Sequence, residues 1–108
     1  MTRVVTKHEL SMLLDAHIGR DRGITAKAIA VALGTSERTV RHLVTELRMD
    51  GRAVCGHPAS GYFFARTGEE LEETCAFLRS RAMQSLVLES KLRNVALGEL
   101  LGQLRVPT

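Results

Sequence analysis

Between positions 36 and 45 the chain carries Ser36, Glu37, Arg38, Thr39, Arg41, His42 and Thr45, side chains that can bond to phosphate oxygens or to the edges of bases. Interleaved with them, Val40, Leu43, Val44 and Leu47 recur at the spacing of one helix face. With about 100° between successive residues, an inner face made of those four points Arg38, His42, Thr45 and Met49 outward and leaves Arg41 on the flank. The planar forks of Arg38 and Arg41 can each take guanine O6 and N7 or a phosphate, and His42 and Thr45 can bond base edges or backbone. Ser36 and Thr39 stand beside the exposed amides of the first turn and suit a phosphate. For Ser36, capping the helix is the simpler role, and for the two arginines the competing role is a solvated charge. Glu37 is either a partner of the helix dipole or a reader of cytosine, with the dipole role favoured.

Other chemistry has little support. Cys55 and His57 are two apart and can start a metal site, but four ligands at structural spacing cannot be assembled from the sequence. Cys55 and Cys75 are the only thiols, so reduced cysteines are expected and no disulfide framework is implied. There is no nucleophile motif, phosphate-binding glycine loop or convincing carboxylate pair, so neither an enzyme nor a cofactor is expected. The four histidines are dispersed, and His17 sits on an apolar face where a structural role is the common one.

The elements that must position these residues are delimited by caps. Thr6 and Glu9 form a capping box that starts a first helix, in which Leu10, Leu13, Leu14, His17 and Ile18 recur until the polar run from Gly19 to Gly23. Thr25 caps a second helix, with Ile24 and Ile29 placed as a hydrophobic staple and Gly34 closing it after Leu33. Ser36 caps a third helix that runs to about Met49, where Asp50-Gly51 stops it. Two extended segments, 52–55 and 62–65, flank the loop Gly56-His57-Pro58-Ala59-Ser60-Gly61 and predict a β-hairpin. Of its aromatic residues Tyr62, Phe63 and Phe64, at least one should be buried against the helices. Thr67 and Glu70 form a second capping box, opening a long helix which, if unbroken from 67 to 97, is about 45 Å long. Gly98 and Gly102 weaken its end, so that the segment around Leu100, Leu101 and Leu104 bends or forms a separate short helix.

Residues 26–45 fit a helix-turn-helix pattern: small Ala30 at the helix crossing, Gly34 at the turn, and Ile29, Leu33, Val40, Leu43 and Val44 facing inward. With the hairpin behind it, the run Leu47-Arg48-Met49-Asp50-Gly51-Arg52-Ala53-Val54 followed by Gly61-Tyr62-Phe63-Phe64 resembles the winged helix-turn-helix of the biotin-repressor type, over roughly residues 8–65. The resemblance implies that residues 36–45 enter the major groove and that Arg52, His57 or Ser60 on the wing reaches phosphate or the minor groove. From the residues alone, His57 serves equally well to cap the loop, and Ser60 to permit the turn. The residues after the hairpin are not expected to form a ligase domain, so biotin binding and adenylation are not carried over.

The 108 residues suit one small domain with an appendage, and 44% apolar with 25% charged residues describes a folded chain. The net charge of +3 is concentrated in residues 1–66, with ten basic and six acidic side chains, against five and six in 67–108. The expected architecture is mainly α with a small β-hairpin: a winged helix-turn-helix over 1–66 and a C-terminal helical segment over 67–108. Because one winged helix reads only a short site, a homodimer is expected through the apolar stripe Leu78, Ala82, Leu86, Leu92, Leu97 and Leu101. The phase drifts and Ser85 and Glu89 interrupt the seam, which favours helix-on-helix packing over a long zipper; folding back on its own domain is the other option. The expected function is sequence-specific binding of double-stranded DNA by a small bacterial or phage transcription regulator. The alternative is an adaptor in a phage replication or other nucleoprotein assembly. Neither an unbroken apolar run of a secretory signal nor a membrane-spanning stretch is found, so a cytoplasmic location is expected, and no pocket for a small effector is evident.

Overall fold

A computed structural model describes residues 4–104, so the outermost residues of both expected segments, 1–3 and 105–108, lie outside the described part. The chain is mainly helical with one hairpin: α1 (Lys7–Leu14), α2 (Ala26–Leu33), α3 (Glu37–Met49), β1 (Val54–His57), β2 (Gly61–Phe64), α4 (Gly68–Arg93) and α5 (Leu97–Gln103), with one 3-10 turn at Arg20–Arg22. This is the order of a helix-turn-helix, a wing and a C-terminal helical extension. Two compact units divide the chain, one running through Thr74 and the other starting at Cys75. Among the described residues no helix is long and apolar enough to cross a membrane.

In the first unit the helices start where hydroxyls can hold free amides. The Thr6 hydroxyl accepts from the Glu9 amide at 3.3 Å while the Glu9 carboxylate accepts from the Thr6 amide at 2.9 Å, which completes the capping box. Thr25 takes the Ala28 amide at 3.1 Å and opens α2. Gly34, with φ 69°, ends α2 in the left-handed conformation, and the next amide, of Thr35, reaches back to the Ala30 carbonyl at 2.9 Å. The end of α3 repeats this bond from Arg52 to Leu47 at 3.0 Å. The faces so oriented bury Leu10 and Leu14 of α1, Ile29 and Ala30 of α2, and Val40, Leu43, Val44 and Leu47 of α3 in one core with Val54 and Phe64 of the hairpin.

The helix spacing misplaces His17 and Ile18. α1 stops at Leu14, and the chain beyond it runs along β2: the Phe64 amide donates to His17 at 2.9 Å and the Gly19 amide to Phe64 at 2.8 Å. Further on, Ile24 and Tyr62 exchange two bonds, of 2.9 and 2.7 Å. Pairing with β2 therefore outcompetes a last helical turn, because without it the second edge of β2 would carry unsatisfied backbone groups. The close crossing needs a glycine at position 61, where φ is 80° and a Cβ would lie 2.3 Å from the Ile24 carbonyl oxygen.

The strands themselves are shifted from the expected 52–55 and 62–65. The antiparallel register pairs Val54 with Phe64, Cys55 with Phe63, Gly56 with Tyr62 and His57 with Gly61. Arg52 is still committed to the α3 end, so pairing starts two residues later and the turn shrinks to Pro58-Ala59-Ser60. Both faces of this hairpin are covered. Val54 and Phe64 belong to the helical core, whereas Cys55 and Phe63 lie on the opposite side of the pleat, where the Cys55 thiol meets the Glu70 carbonyl at 3.6 Å and the Gly56 amide meets the Thr74 hydroxyl at 3.4 Å.

In the second unit α4 ends at Arg93 instead of continuing to 97. Asn94 takes φ 55°, and the Val95 amide returns to the Ser90 carbonyl at 3.0 Å, the same helix ending that Gly34 makes. Gly98 and Gly102, the expected weak points, lie inside α5. Of the expected pairing stripe, Leu78, Ala82, Leu92 and Leu101 are exposed and Leu86 and Leu97 half-buried, while Leu100 is buried.

Candidate nucleic-acid interface

The orientation of α3 follows from its inner face. Val40, Leu43, Val44 and Leu47 are all nearly or fully buried, so the opposite side of the same helix has to face solvent. Arg38, Arg41, His42, Thr45 and Met49 are exposed there, as the 3.6-residue repeat predicts. Among the described residues, the bonding partners of Arg41, His42 and Thr45 all lie on α3 itself, and Arg38 has none. Arg41 stands 3.6 Å from Glu37 with its side chain 61% exposed. His42 Nε2 is 3.8 Å from Glu46, an ion pair only when the ring is protonated. The Thr45 hydroxyl donates back to the Arg41 carbonyl at 3.1 Å. Exposed i,i+4 pairs of this kind contribute a few tenths of a kcal/mol, roughly 0.3 to 0.5, and yield readily to a stronger anion.

The first turn is organised by Ser36, whose hydroxyl accepts from the Thr39 amide at 3.1 Å and donates to the Thr39 hydroxyl at 3.0 Å. Ser36 therefore caps, and Thr39 is half-buried beside it. Glu37, also in that first turn, sits where the helix dipole favours an anion.

On the wing, the guanidinium of Arg52 lies over the Phe64 ring, 4.9 Å from its centroid, which keeps an exposed cation beside the hairpin base. His57 Nδ1 accepts the Ala59 amide at 3.1 Å, so it caps the turn. Ser60 is half-buried and borders a depression shared with Arg20, Asp21, Thr67, Glu69, Glu70 and Glu73, whose four carboxylates make an unfavourable setting for a phosphate. Cys55 is buried. His17 Nδ1 donates to the Arg22 carbonyl at 2.7 Å, a structural bond.

Three supports were not foreseen. Arg48 Nε donates to the Val54 carbonyl at 2.8 Å and ties the last turn of α3 to the wing. Arg66 reaches the Ile18 carbonyl at 3.0 Å and Asp21 at 3.2 Å. Of the expected capping box the Thr67 hydroxyl does accept the Glu70 amide, at 3.2 Å, while the Glu70 carboxylate accepts the backbone amides of Arg20 at 2.9 Å and Arg66 at 2.8 Å, which joins the segment after α1 to the start of α4. Sequence carried a signal for Glu70 alone, as the third residue after Thr67; the arginine bonds depend on a fold that spacing does not reveal.

The Arg20 amide, then that of Arg66, hold the Glu70 carboxyl below its ordinary range. A depressed carboxylate contributes stability that is complete above its unfolded pKa, about 4.3, and is lost as pH falls through the lower folded value. The resistance of the native chain to urea should therefore fall on acidification below about pH 5. Glu70→Gln should start less stable at neutral pH and show a shallower loss over that acidic window; an unchanged slope would exclude Glu70 as a source.

No protein-family model matches the chain, and neither a curated protein nor a solved structure does.

Proposed function

We propose that the chain binds double-stranded DNA sequence-specifically through α3, as a small bacterial or phage transcription regulator that acts as a dimer in the cytoplasm. The observation that carries this is the outer face of α3: Arg38, Arg41, His42 and Thr45 stand exposed on one side of a helix whose other side is locked into the core. Such a helix can enter a groove about 12 Å wide without rearranging its own domain. Arg38 and Arg41 address guanine or phosphate, His42 and Thr45 bond base edges or backbone, and the first turn with Ser36, Glu37 and Thr39 lies against the strand. Arg52 and His57 at the wing add contacts to phosphate. The basic excess of residues 1–66 raises the encounter rate with a polyanion.

Selection of bound duplexes from a random pool with the full chain tests this. A short site recovered as paired copies is the expected outcome, with affinity falling about 0.9 log units per tenfold rise in salt for every phosphate neutralised. Recovery of no preferred sequence would refute specific recognition. A reporter fused to the chain's own promoter addresses regulation, where unchanged output on overexpression counts against autoregulation.

A further inference from the structure

α4 is segregated in charge from end to end, and although its exposed apolar side chains are spread around the helix, one set of them falls along a single line. Leu71, Cys75, Leu78, Ala82, Ser85 and Leu92 follow one another at alternating steps of four and three, with Glu89 in the remaining place. Leu71, Leu78 and Leu92 on this seam are 40%, 42% and 85% exposed, so none is covered as a core leucine is. Glu89 does not bring a bare charge to the seam, because Arg93 holds it at 2.7 Å. The first six residues of α4 contain Glu69, Glu70, Glu72 and Glu73, whereas Arg79, Arg81, Lys91 and Arg93 face Glu89 alone in the remainder.

A helix of this pattern is complementary to itself in one direction. We infer that a second copy of this chain docks on the α4 seam antiparallel to the first, with the two-fold axis beside Ala82. Parallel copies would set Glu69 and Glu72 against their own counterparts, Glu70 and Glu73 being already engaged with Arg20 and Arg66, and the basic ends against each other. Antiparallel copies set the acidic end of each against the basic end of the other, and on the flank next to the seam Glu72 comes opposite Arg93 of the second copy. Small Ala82 and Ser85 at the centre let the two backbones approach, and the leucines flank them on both sides. This rests on the dimeric part of the function proposed above and specifies its face and polarity.

Polarity is read by cross-linking the full chain, since Cys55 is buried and Cys75 is exposed. In the antiparallel pair the two Cys75 residues are about 20 Å apart along the axis, so mild oxidation of the native chain yields no disulfide-linked dimer. Ala82→Cys in a Cys75→Ser background lies on the two-fold axis and cross-links efficiently. Glu72→Lys weakens self-association, measured by sedimentation, about tenfold, where parallel copies would be relieved of repulsion and tightened. Cross-linking through native Cys75, failure of Ala82→Cys to cross-link, a tighter Glu72→Lys dimer, or a monomeric mass at the highest soluble concentration each overturns the inference. DNA retention by the same samples keeps the two proposals apart: a monomer that still holds its selected site removes the pairing and leaves recognition by α3 standing.

Discussion

Replacing Arg38 and Arg41 together with alanine should lower affinity for the selected DNA site about a hundredfold or more, since each well-placed arginine fork contributes about 1 to 3 kcal/mol of discrimination. The fold should hardly notice. Both side chains are exposed, Arg38 has no partner among the described residues, and Arg41 loses only its 3.6 Å approach to Glu37. Fluorescence anisotropy with the selected duplex, run across a salt series, also separates the two kinds of contact. Loss of a base contact relaxes sequence preference at one position, whereas loss of a phosphate contact weakens all duplexes alike and reduces the salt slope by about one. A double variant that binds like the native chain, with its helical signal intact, removes α3 as the reading element.

The largest effect on stability is expected at Phe63. Its ring is 1% exposed, on the side of the hairpin shared with Cys55 and away from the helical core. Phe63→Ala should cost about 3 to 5 kcal/mol, transfer and cavity together, which is a large share of the 5 to 15 kcal/mol typical of a whole domain. The urea midpoint should drop accordingly with little change in slope. Tyr62 is only half-buried, and truncating it to alanine should cost visibly less. Equal losses at the two positions would mean that the covered second face adds nothing.

Much of the first unit could be read in the chain because its signals are local. Thr6 with Glu9, Thr25 and Ser36 each cap the helix they announce, Gly34 ends α2, and the repeat of Val40, Leu43, Val44 and Leu47 orients α3 correctly. The errors have a shared cause in contacts between distant segments. Ile18 continues an apolar helix pattern, yet pairing with Phe64 determines its conformation. Phe63 gave only the expectation that some ring would be buried, because which side of a hairpin is covered depends on contacts such as those of Cys55 and Gly56 with α4, which the sequence assigned to a separate segment. The break after Arg93 had a local signal that was passed over: an asparagine following Lys91 and Arg93 is a common helix end, and it prevails over the glycines further on. For the candidate site, the exposed face of α3 was legible residue by residue, while the Arg48 bond that fixes the wing to it was not.

The hydrogen bonds of Cys55 and Gly56 with Glu70 and Thr74 bear on where this protein can be cut. Cleavage after Arg66 would remove the partners of Cys55 and Gly56 and open that side of the hairpin to water and to aggregation. A fragment meant to fold alone must retain two turns of the following helix, through Thr74, where the first compact unit ends.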